Sequence, residues 1–281
     1  MQFPFSPRLT RLLDLALEED LPHGDITSEA IFEPSDTATA RFLAKSSLVI
    51  CGLPLVAHIF QRFPNPVTFT PLVLEGDECQ PGTLIAEASG SVLTLLGAER
   101  TCLNFLQHLS AIATFSRKLH RLAANRITVV DTRKTLPGWR DLQKYAVRIG
   151  GCKNHRASLS SGVLIKDNHI DACGSITKAI HHVRQKIAHS MKIEVEVRSE
   201  AEVQEATQAG AEILLLDNMT AAEVHHICHT YRGQALFEIS GGITEETLEA
   251  IANTGADLVS LGALTHTVRA VDISMKIQVS S

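Results

Sequence analysis

Short apolar runs alternate with helix-like segments along the second half of the chain, from about Ile127 onward. Runs of this kind are typical of strands that are buried on both faces of a parallel sheet. Six of them recur at regular spacing, which predicts six βα units in a sheet that is either barrel-like or doubly wound. The runs lie at 129–130, 163–165, 193–197, 213–216, 235–239 and 258–261.

The segments between these runs carry helix start and stop signals. Ser199 with Glu202, and Thr220 with Glu223, have the Ser/Thr-x-x-Glu spacing of a capping box. Glycines stand where the left-handed C-caps of three of these helices belong. They are Gly210, Gly233 and Gly255.

Polar residues follow the predicted strands directly, and this favours a barrel. In a barrel the carboxyl ends of all strands converge on one mouth, where such side chains form the ligand site. The segments concerned are 132–134, 166–167, 196, 217–218, 240–242 and 262–263. We therefore predict an α/β barrel for the second part of the chain.

The first part of the chain has a different pattern. Residues 8–20 have the spacing of an amphipathic helix, and strand-like runs broken by Gly and Pro follow, up to a helical segment at 95–109. The pattern predicts a separate α+β layer over roughly residues 1–110.

Composition narrows the class of protein. The chain has 281 residues, 44% of them hydrophobic, which is enough for one large or two ordinary domains. Six cysteines without Cys-x-x-Cys or Cys/His spacing predict neither a zinc site nor disulfides, and favour a reducing cytoplasm. No export signal or membrane span is expected. The formal net charge of −5 argues against nucleic acid or an anionic membrane as a partner.

One stretch departs from this acidic balance. Residues 126–166 contain nine Lys or Arg and two Asp. Basic runs are most often solvated surface. These basic residues, however, lie beside glycine pairs and at strand ends, which is where α/β proteins bind ligands. We therefore predict a site for an anionic ligand.

The basic side chains of this stretch suit two kinds of anion. Arg133 and Arg156 present planar forks that match carboxylates, whereas Lys134 and Lys166 are point charges that suit a diphosphate or a ribosyl oxygen. His155 is predicted to donate to a ligand carboxylate. The pocket thus combines features for carboxylate and for phosphate.

Two glycine-containing turns, 240–242 and 262–263, follow late strands and open helices. Main-chain N–H groups and the helix dipole bind phosphate at such places. Tight turns need glycine in any case, but two in succession favour a phosphate site. Glu196 and Asp217 end neighbouring strands, and their oxygens suit Mg²⁺ bridged to phosphates; solvated carboxylates are the alternative.

The order of these motifs along the chain resembles that of the quinolinate phosphoribosyltransferase family. The resemblance runs nearly end to end, and its motifs include Gly24-Asp25-Ile26-Thr27 and Lys166-Asp167-Asn168-His169. The other motifs lie at 19–20, 99–104, 109–114, 131–138, 144–147, 154–156, 194–197, 216–218, 240–242 and 262–266.

The resemblance implies a fold and a reaction. The fold is an α/β-sandwich domain at 1–110, an incomplete TIM-like α/β barrel at 111–267, and a segment at 268–281 that returns to the first domain. The reaction transfers phosphoribosyl from phosphoribosyl pyrophosphate to quinolinate with decarboxylation, giving nicotinate mononucleotide, diphosphate and CO₂, with Mg²⁺ as cofactor. A cytoplasmic homodimer is implied, with a hexamer left open, and Arg100 enters the site from the partner chain.

The resemblance also implies roles for single residues. Lys134, Lys166, Glu196 and Asp217 are the expected catalytic residues, and Glu196 and Asp217 hold Mg²⁺ either directly or through the substrate. The quinolinate pocket is formed by Arg100, Thr132, Arg133, His155, Arg156 and Lys166. Phosphoribosyl pyrophosphate is held by Lys134, Glu196, Asp217, Ser240, Gly241, Gly242, Gly262 and Ala263.

Two residues depart from the family's sequence pattern, and two other functions are alternatives to the transferase. Cys152 interrupts a glycine run of the family and Ala111 replaces a common glycine, which puts local loop shape in doubt rather than chemistry. A Schiff-base aldolase using Lys166 is one alternative. The other is a non-catalytic oxyanion-binding protein like the molybdenum-transport branch, which this chain resembles less at Asn154 and at 166–169.

Overall fold

The computed structural model describes residues 2–279, and contacts between residues divide the chain into two compact units. The first unit comprises Met1–Arg117, Thr135–Gly151 and Leu264–Ser281, and the second comprises Lys118–Lys134 and Cys152–Ala263. None of the helices between residues 2 and 279 combines the length and the apolar character that crossing a bilayer requires.

The first unit is built on an antiparallel four-stranded sheet. The strands of this unit, which include a separate two-stranded pair, are β1 (Thr37–Ala44), β2 (Leu48–Val49), β3 (Val67–Pro71), β4 (Glu78–Cys79), β5 (Leu84–Ser91) and β12 (Ile273–Val279). The order in the main sheet is β12-β1-β5-β3, and β2 pairs with β4. Its helices are α1 (Pro7–Asp20), α2 (Ile26–Ile31), α3 (Leu53–Phe60) and α5 (Arg140–Ile149), and α4 (Val92–Ala123) begins in it. The separate α+β layer predicted from the sequence is confirmed, and the structure shows that its sheet is antiparallel.

The two helices predicted in this part are present. α1 begins at an N-cap, Ser6, whose hydroxyl accepts the Leu9 N–H at 3.2 Å, and it buries Leu9 and Leu13. The segment predicted at 95–109 lies inside α4, which continues to Ala123. No glycine or proline interrupts the sequence from 98 to 123, so nothing stops the helix earlier.

The second unit is built on a parallel six-stranded sheet. Its strands are β6 (Thr128–Val130), β7 (Val163–Ile165), β8 (Ile193–Val197), β9 (Ile213–Asp217), β10 (Leu236–Ser240) and β11 (Leu258–Ser260), in the order β6-β11-β10-β9-β8-β7. All six predicted runs are strands. β6 and β7 are the two edges of this sheet, as expected for an incomplete barrel.

Helices follow the strands β7 to β11, as in repeated βα units. They are α6 (Asp167–Cys173), α7 (Ile176–Arg184), α8 (Glu200–Gln208), α9 (Ala221–Thr230), α10 (Glu245–Ala252) and α11 (Ala263–His266). The capping box of Thr220 and Glu223 is formed, and Ser199 caps α8 by accepting the Glu202 N–H. The predicted C-cap glycines all have positive φ, near 90° for Gly210.

The alternation of side chains along β8 determines what lies near the site. Ile193, Val195 and Val197 are fully buried on one face of the strand. Because successive side chains of a strand point to opposite faces, Glu194 and Glu196 share the other face. Glu194 is also buried, so this face carries charge into the interior of the unit.

Candidate active site

Two arginines from different loops of the second unit lie near each other. Arg156 donates from Nη1 to the Gly162 carbonyl at 3.1 Å, which fixes the direction of its guanidinium. Burial and the positive charge of Arg133 lower the pKa of Arg156 below its ordinary value. Like charges held this close favour an anionic ligand, and two planar forks suit a ligand with two carboxylates.

The loop that carries Arg156 is attached to β6. Lys153 pairs with Val130 as an isolated parallel bridge. The fully buried Asp131 accepts from Asn154 Nδ2 at 2.6 Å and from the His155 main-chain N–H at 2.9 Å. Asp131 therefore holds the loop next to the strand end.

His155 lies against two buried carboxylates, and we name His155, Glu194 and Glu238 the buried acid–histidine cluster. Nε2 of the ring is 3.2 Å from Glu194 Oε2 and 3.6 Å from Glu238 Oε1. Burial, with the charge of Glu194, raises the pKa of Glu238 to about 7. Burial lowers the pKa of His155, but the hydrogen bond to Glu194 and the two negative charges outweigh it, so that this pKa lies above its ordinary value.

A second group of charged residues lies at the ends of β7, β8 and β9. Lys166 Nζ is 3.2 Å from Glu196 Oε2. Arg198 lies 3.4 Å from Glu196, 2.8 Å from Asp167 and 3.6 Å from Asp217. Glu196 and Asp217, which the sequence placed at neighbouring strand ends, thus share one cationic neighbour.

The turn after β10 is tight around Gly241. Ser240 accepts the Asn218 main-chain N–H at 2.9 Å, which ties the turn to the end of β9. Gly241 has φ of 95°, and a Cβ built there would lie 2.2 Å from Asn218 Oδ1. Glycine is favoured at this position, because a side chain would strain the backbone and displace the Asn218 side chain.

The remaining residues predicted for the site are spread over both units. Thr132 accepts the Lys134 N–H on its hydroxyl at 3.0 Å, and both follow β6. Gly262 and Ala263 follow β11 and are half-buried. Arg100 lies on α4 in the first unit with its side chain exposed.

Four residues of this region did not emerge from the sequence as functional: Asp131, Glu194, Arg198 and Glu238. A signal was present for two of them. Glu194 and Glu238 are charged residues inside apolar strand runs, two positions before Glu196 and Ser240. The period of two places each on the face that also carries a strand-end polar group. Arg198 gave no such signal, because exposed arginines are common on any surface.

Models of one family match nearly the whole chain. Residues 25–110 match the N-terminal domain of quinolinate phosphoribosyl transferase, and residues 112–276 match its C-terminal domain.

Individual relatives agree with this match. The chain is 42% identical to a probable nicotinate-nucleotide pyrophosphorylase (carboxylating) of Bacillus subtilis, covering 98% of this chain and 95% of that protein. It is 36% identical to quinolinate phosphoribosyltransferase (decarboxylating) 1b of Nicotiana tabacum, covering 96% and 82%. The crystal structure of NadC from Streptococcus pyogenes superimposes with a TM-score of 0.95 at 38% identity over 100% of both chains.

Proposed function

The chain belongs to the quinolinate phosphoribosyltransferase family, and from this membership we propose how its second unit binds the two substrates of the reaction. The protein is a pentosyltransferase that transfers phosphoribosyl from phosphoribosyl pyrophosphate to quinolinate, with decarboxylation, in NAD biosynthesis.

The proximity of Arg133 and Arg156 is the single observation that supports the quinolinate site best. Quinolinate carries two adjacent carboxylates, and a dianion would offset both the burial and the positive charge of Arg133, which together lower the pKa of Arg156. We assign one carboxylate to each guanidinium, since an arginine fork binds a carboxylate through two parallel hydrogen bonds. Thr132 and Lys166 complete this pocket in the proposal. His155, predicted from the sequence to donate to a ligand carboxylate, is left out of it because its Nε2 faces Glu194 at 3.2 Å.

Phosphoribosyl pyrophosphate is proposed to lie across the neighbouring strand ends. The 5′-phosphate binds main-chain N–H groups of the turns 240–242 and 262–263. Lys134 binds the diphosphate as a point charge, and Glu196 with Asp217 accepts hydrogen bonds from the ribose hydroxyls. In this arrangement the ribose C1 atom faces the pyridine nitrogen of quinolinate.

The donor set at the ends of β8 and β9 fits a hard divalent cation. Glu196 and Asp217 have carboxylate oxygens 3.4 and 3.6 Å from the side chain of Arg198. Two carboxylates with a common neighbour are close enough to bind one divalent cation together. We propose that these two residues hold Mg²⁺, directly or through the diphosphate. When bound, Mg²⁺ neutralises the charge of the departing diphosphate.

The chain's own residues act mainly by positioning. The pyridine nitrogen attacks C1 while the bond from C1 to the diphosphate oxygen breaks, and Lys134 stabilises the charge on that oxygen. As CO₂ leaves, the electron pair of the broken C2–carboxylate bond stays on C2, where the adjacent positive ring nitrogen stabilises it, and C2 then takes a proton from water. The arginines orient the carboxylates throughout, and no protein nucleophile takes part.

A product assay tests the reaction. Purified protein with quinolinate, phosphoribosyl pyrophosphate and Mg²⁺ is expected to release CO₂ and nicotinate mononucleotide in equal amounts. Nicotinate replaces quinolinate as the control, and it should react far more slowly because it lacks the second carboxylate. Product formed equally fast from nicotinate would argue against the diacid pocket.

Substituting Gly241 with alanine is expected to weaken the binding of phosphoribosyl pyrophosphate. The new Cβ would lie 2.2 Å from Asn218 Oδ1 on a backbone with φ of 95°, so the Asn218 side chain must move and the turn is strained. Steady-state kinetics should show a KM for phosphoribosyl pyrophosphate raised about tenfold or more, because the main-chain N–H groups of the turn no longer point toward the phosphate.

Gly210 offers a matched control for that substitution. It has the same left-handed backbone, φ of 90°, but its Cβ would meet nothing within 4 Å. Gly210→Ala should cost about 1–2 kcal/mol of stability from the backbone alone and leave both KM values unchanged. Equal kinetic effects at both glycines would mean that Gly241 acts only through stability.

Asp217→Asn is expected to change the requirement for Mg²⁺. Removing one of the two carboxylate charges should raise the Mg²⁺ concentration for half-maximal activity about ten- to a hundredfold, with the quinolinate KM unchanged. Activity is measured against Mg²⁺ at saturating substrates. Asp272→Asn, an exposed residue of the first unit, is the control. An unaltered Mg²⁺ dependence would remove Asp217 from the proposed metal site.

We further propose that the enzyme acts as a homodimer in which Arg100 reaches the quinolinate pocket of the partner. The side chain is exposed on α4, so it is available to a second molecule. A third arginine would add to the positive charge facing the two carboxylates.

A further inference from the structure

The buried acid–histidine cluster has no role in the proposed reaction, although it lies beside Arg156. Its ligand atoms all lie within 4.8 Å of one another, in the combination of one histidine and two carboxylates that many metal sites use. Glu194 and Glu238 are 5% and 3% exposed, so two carboxylates are removed from water here. Such an arrangement needs a cation or a proton to offset it.

The contacts of the imidazole decide between a metal and a proton. The Arg156 main-chain N–H donates to Nδ1 of His155 at 2.7 Å, so Nδ1 is an acceptor and carries no hydrogen. The neighbouring carboxylates raise the pKa of His155 and so favour a second ring hydrogen. A hydrogen on Nδ1 would point at the Arg156 N–H 2.7 Å away, so the ring is neutral and its hydrogen is on Nε2. A metal would need a lone pair on that same Nε2, which faces the carboxylates. The geometry therefore favours hydrogen over a metal ion between the three side chains.

We propose that Glu194 and Glu238 are positioning residues for the transfer reaction, which lock His155 in the Nε2–H form so that Nδ1 fixes the main chain of Arg156. The inference rests on the proposed role of Arg156 in binding quinolinate. Neither glutamate touches substrate in this account. Both act through the histidine and the residue that follows it.

The two glutamates contribute differently. Glu194 is the acceptor of the Nε2–H bond, with its two oxygens 3.2 and 3.4 Å from Nε2. Glu238 Oε1 has no hydrogen-bond partner and lies 3.6 Å from Nε2. The raised pKa of Glu238 agrees with an uncharged carboxyl there, which avoids placing two bare negative charges around one neutral ring.

Asp131 completes the attachment from the other side. It accepts the His155 main-chain N–H at 2.9 Å, while His155 Nδ1 accepts the next N–H, that of Arg156. Two successive amides are therefore fixed by buried acceptors. The Arg156 guanidinium begins at this fixed point and is held further along by Gly162. Release of the ring should free the arginine without unfolding the strand.

The tautomer is tested directly by nitrogen NMR of the wild-type protein labelled with ¹⁵N-histidine. Among the 13 histidines, His155 is identified as the signal lost in His155→Gln. A protonated Nε2 with a bare Nδ1 is expected. A ring protonated on Nδ1, alone or together with Nε2, would overturn the proposal. This measurement needs no turnover, so its result is independent of whether the proposed reaction is right.

Kinetics test the positioning role. Glu194→Ala should raise the quinolinate KM about tenfold while the KM for phosphoribosyl pyrophosphate changes less than about twofold. Glu194→Gln keeps an acceptor oxygen and should restore the quinolinate KM to within about threefold. Glu249→Gln, on the exposed face of α10, is the control.

Several outcomes would overturn the proposal. They are a proportional rise of both KM values in Glu194→Ala, a Gln variant no better than the Ala variant, and zinc bound at one equivalent by the wild type but lost in Glu238→Gln. If Glu194→Ala does not fold, Glu194→Gln still decides, because a tenfold rise in its quinolinate KM with an unchanged tautomer contradicts the mechanism.

Discussion

Replacing Arg133 with alanine is expected to leave a folded protein that has lost most of its affinity for quinolinate. Removing one partner of a buried, hydrogen-bonded charge pair costs about 2–5 kcal/mol, which corresponds to roughly 30-fold to several-thousand-fold in affinity. Before the ligand binds, Arg133 and Arg156 repel each other, so the substitution should not destabilise the free protein. Quinolinate binding is measured by calorimetry and stability by thermal unfolding.

Two further variants make this test specific. Arg133→Lys keeps the charge but loses the planar fork, and should recover only part of the affinity. Arg232→Ala removes an exposed arginine of the same unit and should bind quinolinate like the wild type. An Arg133→Ala enzyme with an unchanged quinolinate affinity would refute the proposed diacid pocket.

The parallel sheet was predictable because its strands are short apolar runs and because capping residues mark the ends of its helices. β8 and β9 appear in the sequence as apolar runs with Glu196 and Asp217 near their ends. Asp217 is the last residue of β9, and Glu196 is the last but one of β8. The order of the strands in space follows from their order in the chain, except that β6 pairs with β11. Sequence patterns give the elements well because burial imposes their periods locally.

Groups that depend on long-range packing were less predictable. Glu75 accepts the N–H groups of Gly52 and Leu53, at 2.7 and 3.0 Å, at the start of α3. Burial raises its pKa. A sequence shows only a glutamate in a loop, since its partners lie more than twenty residues away. The same holds for α5, whose residues group with the first unit although they follow β6 in the chain.

The residues of the candidate site also fall into a predictable group and a less predictable one. Arg133 and Arg156 could be predicted as a carboxylate-binding pair, because both are basic residues next to strand ends or glycine turns, and this role stays a prediction. The buried acidic residues beside these arginines were not predicted from the sequence. Asp131, Glu194 and Glu238 are acidic residues near a basic loop, and only the structure shows that all three are buried.

Mixing two inactive variants is expected to restore activity if the active site is shared between subunits. Arg100→Ala removes the residue proposed to come from the partner, and Arg133→Ala removes one from the same chain. In a hybrid dimer one site carries both losses and the other carries none. An equal mixture should form hybrids as half of its dimers, so activity should return to roughly a quarter of the wild-type value.

A mixture of Arg133→Ala with Arg156→Ala is the matched control, because each hybrid then has two damaged pockets and should stay inactive. Subunit exchange is followed by native mass spectrometry of differently tagged chains, so that a lack of recovery cannot be blamed on a lack of hybrids. No recovery in the first mixture despite exchange would place Arg100 outside the partner's pocket. Recovery in the second mixture would show that Arg133 and Arg156 of the same chain do not act in one pocket, because a pocket that needs both from one chain stays damaged in every hybrid.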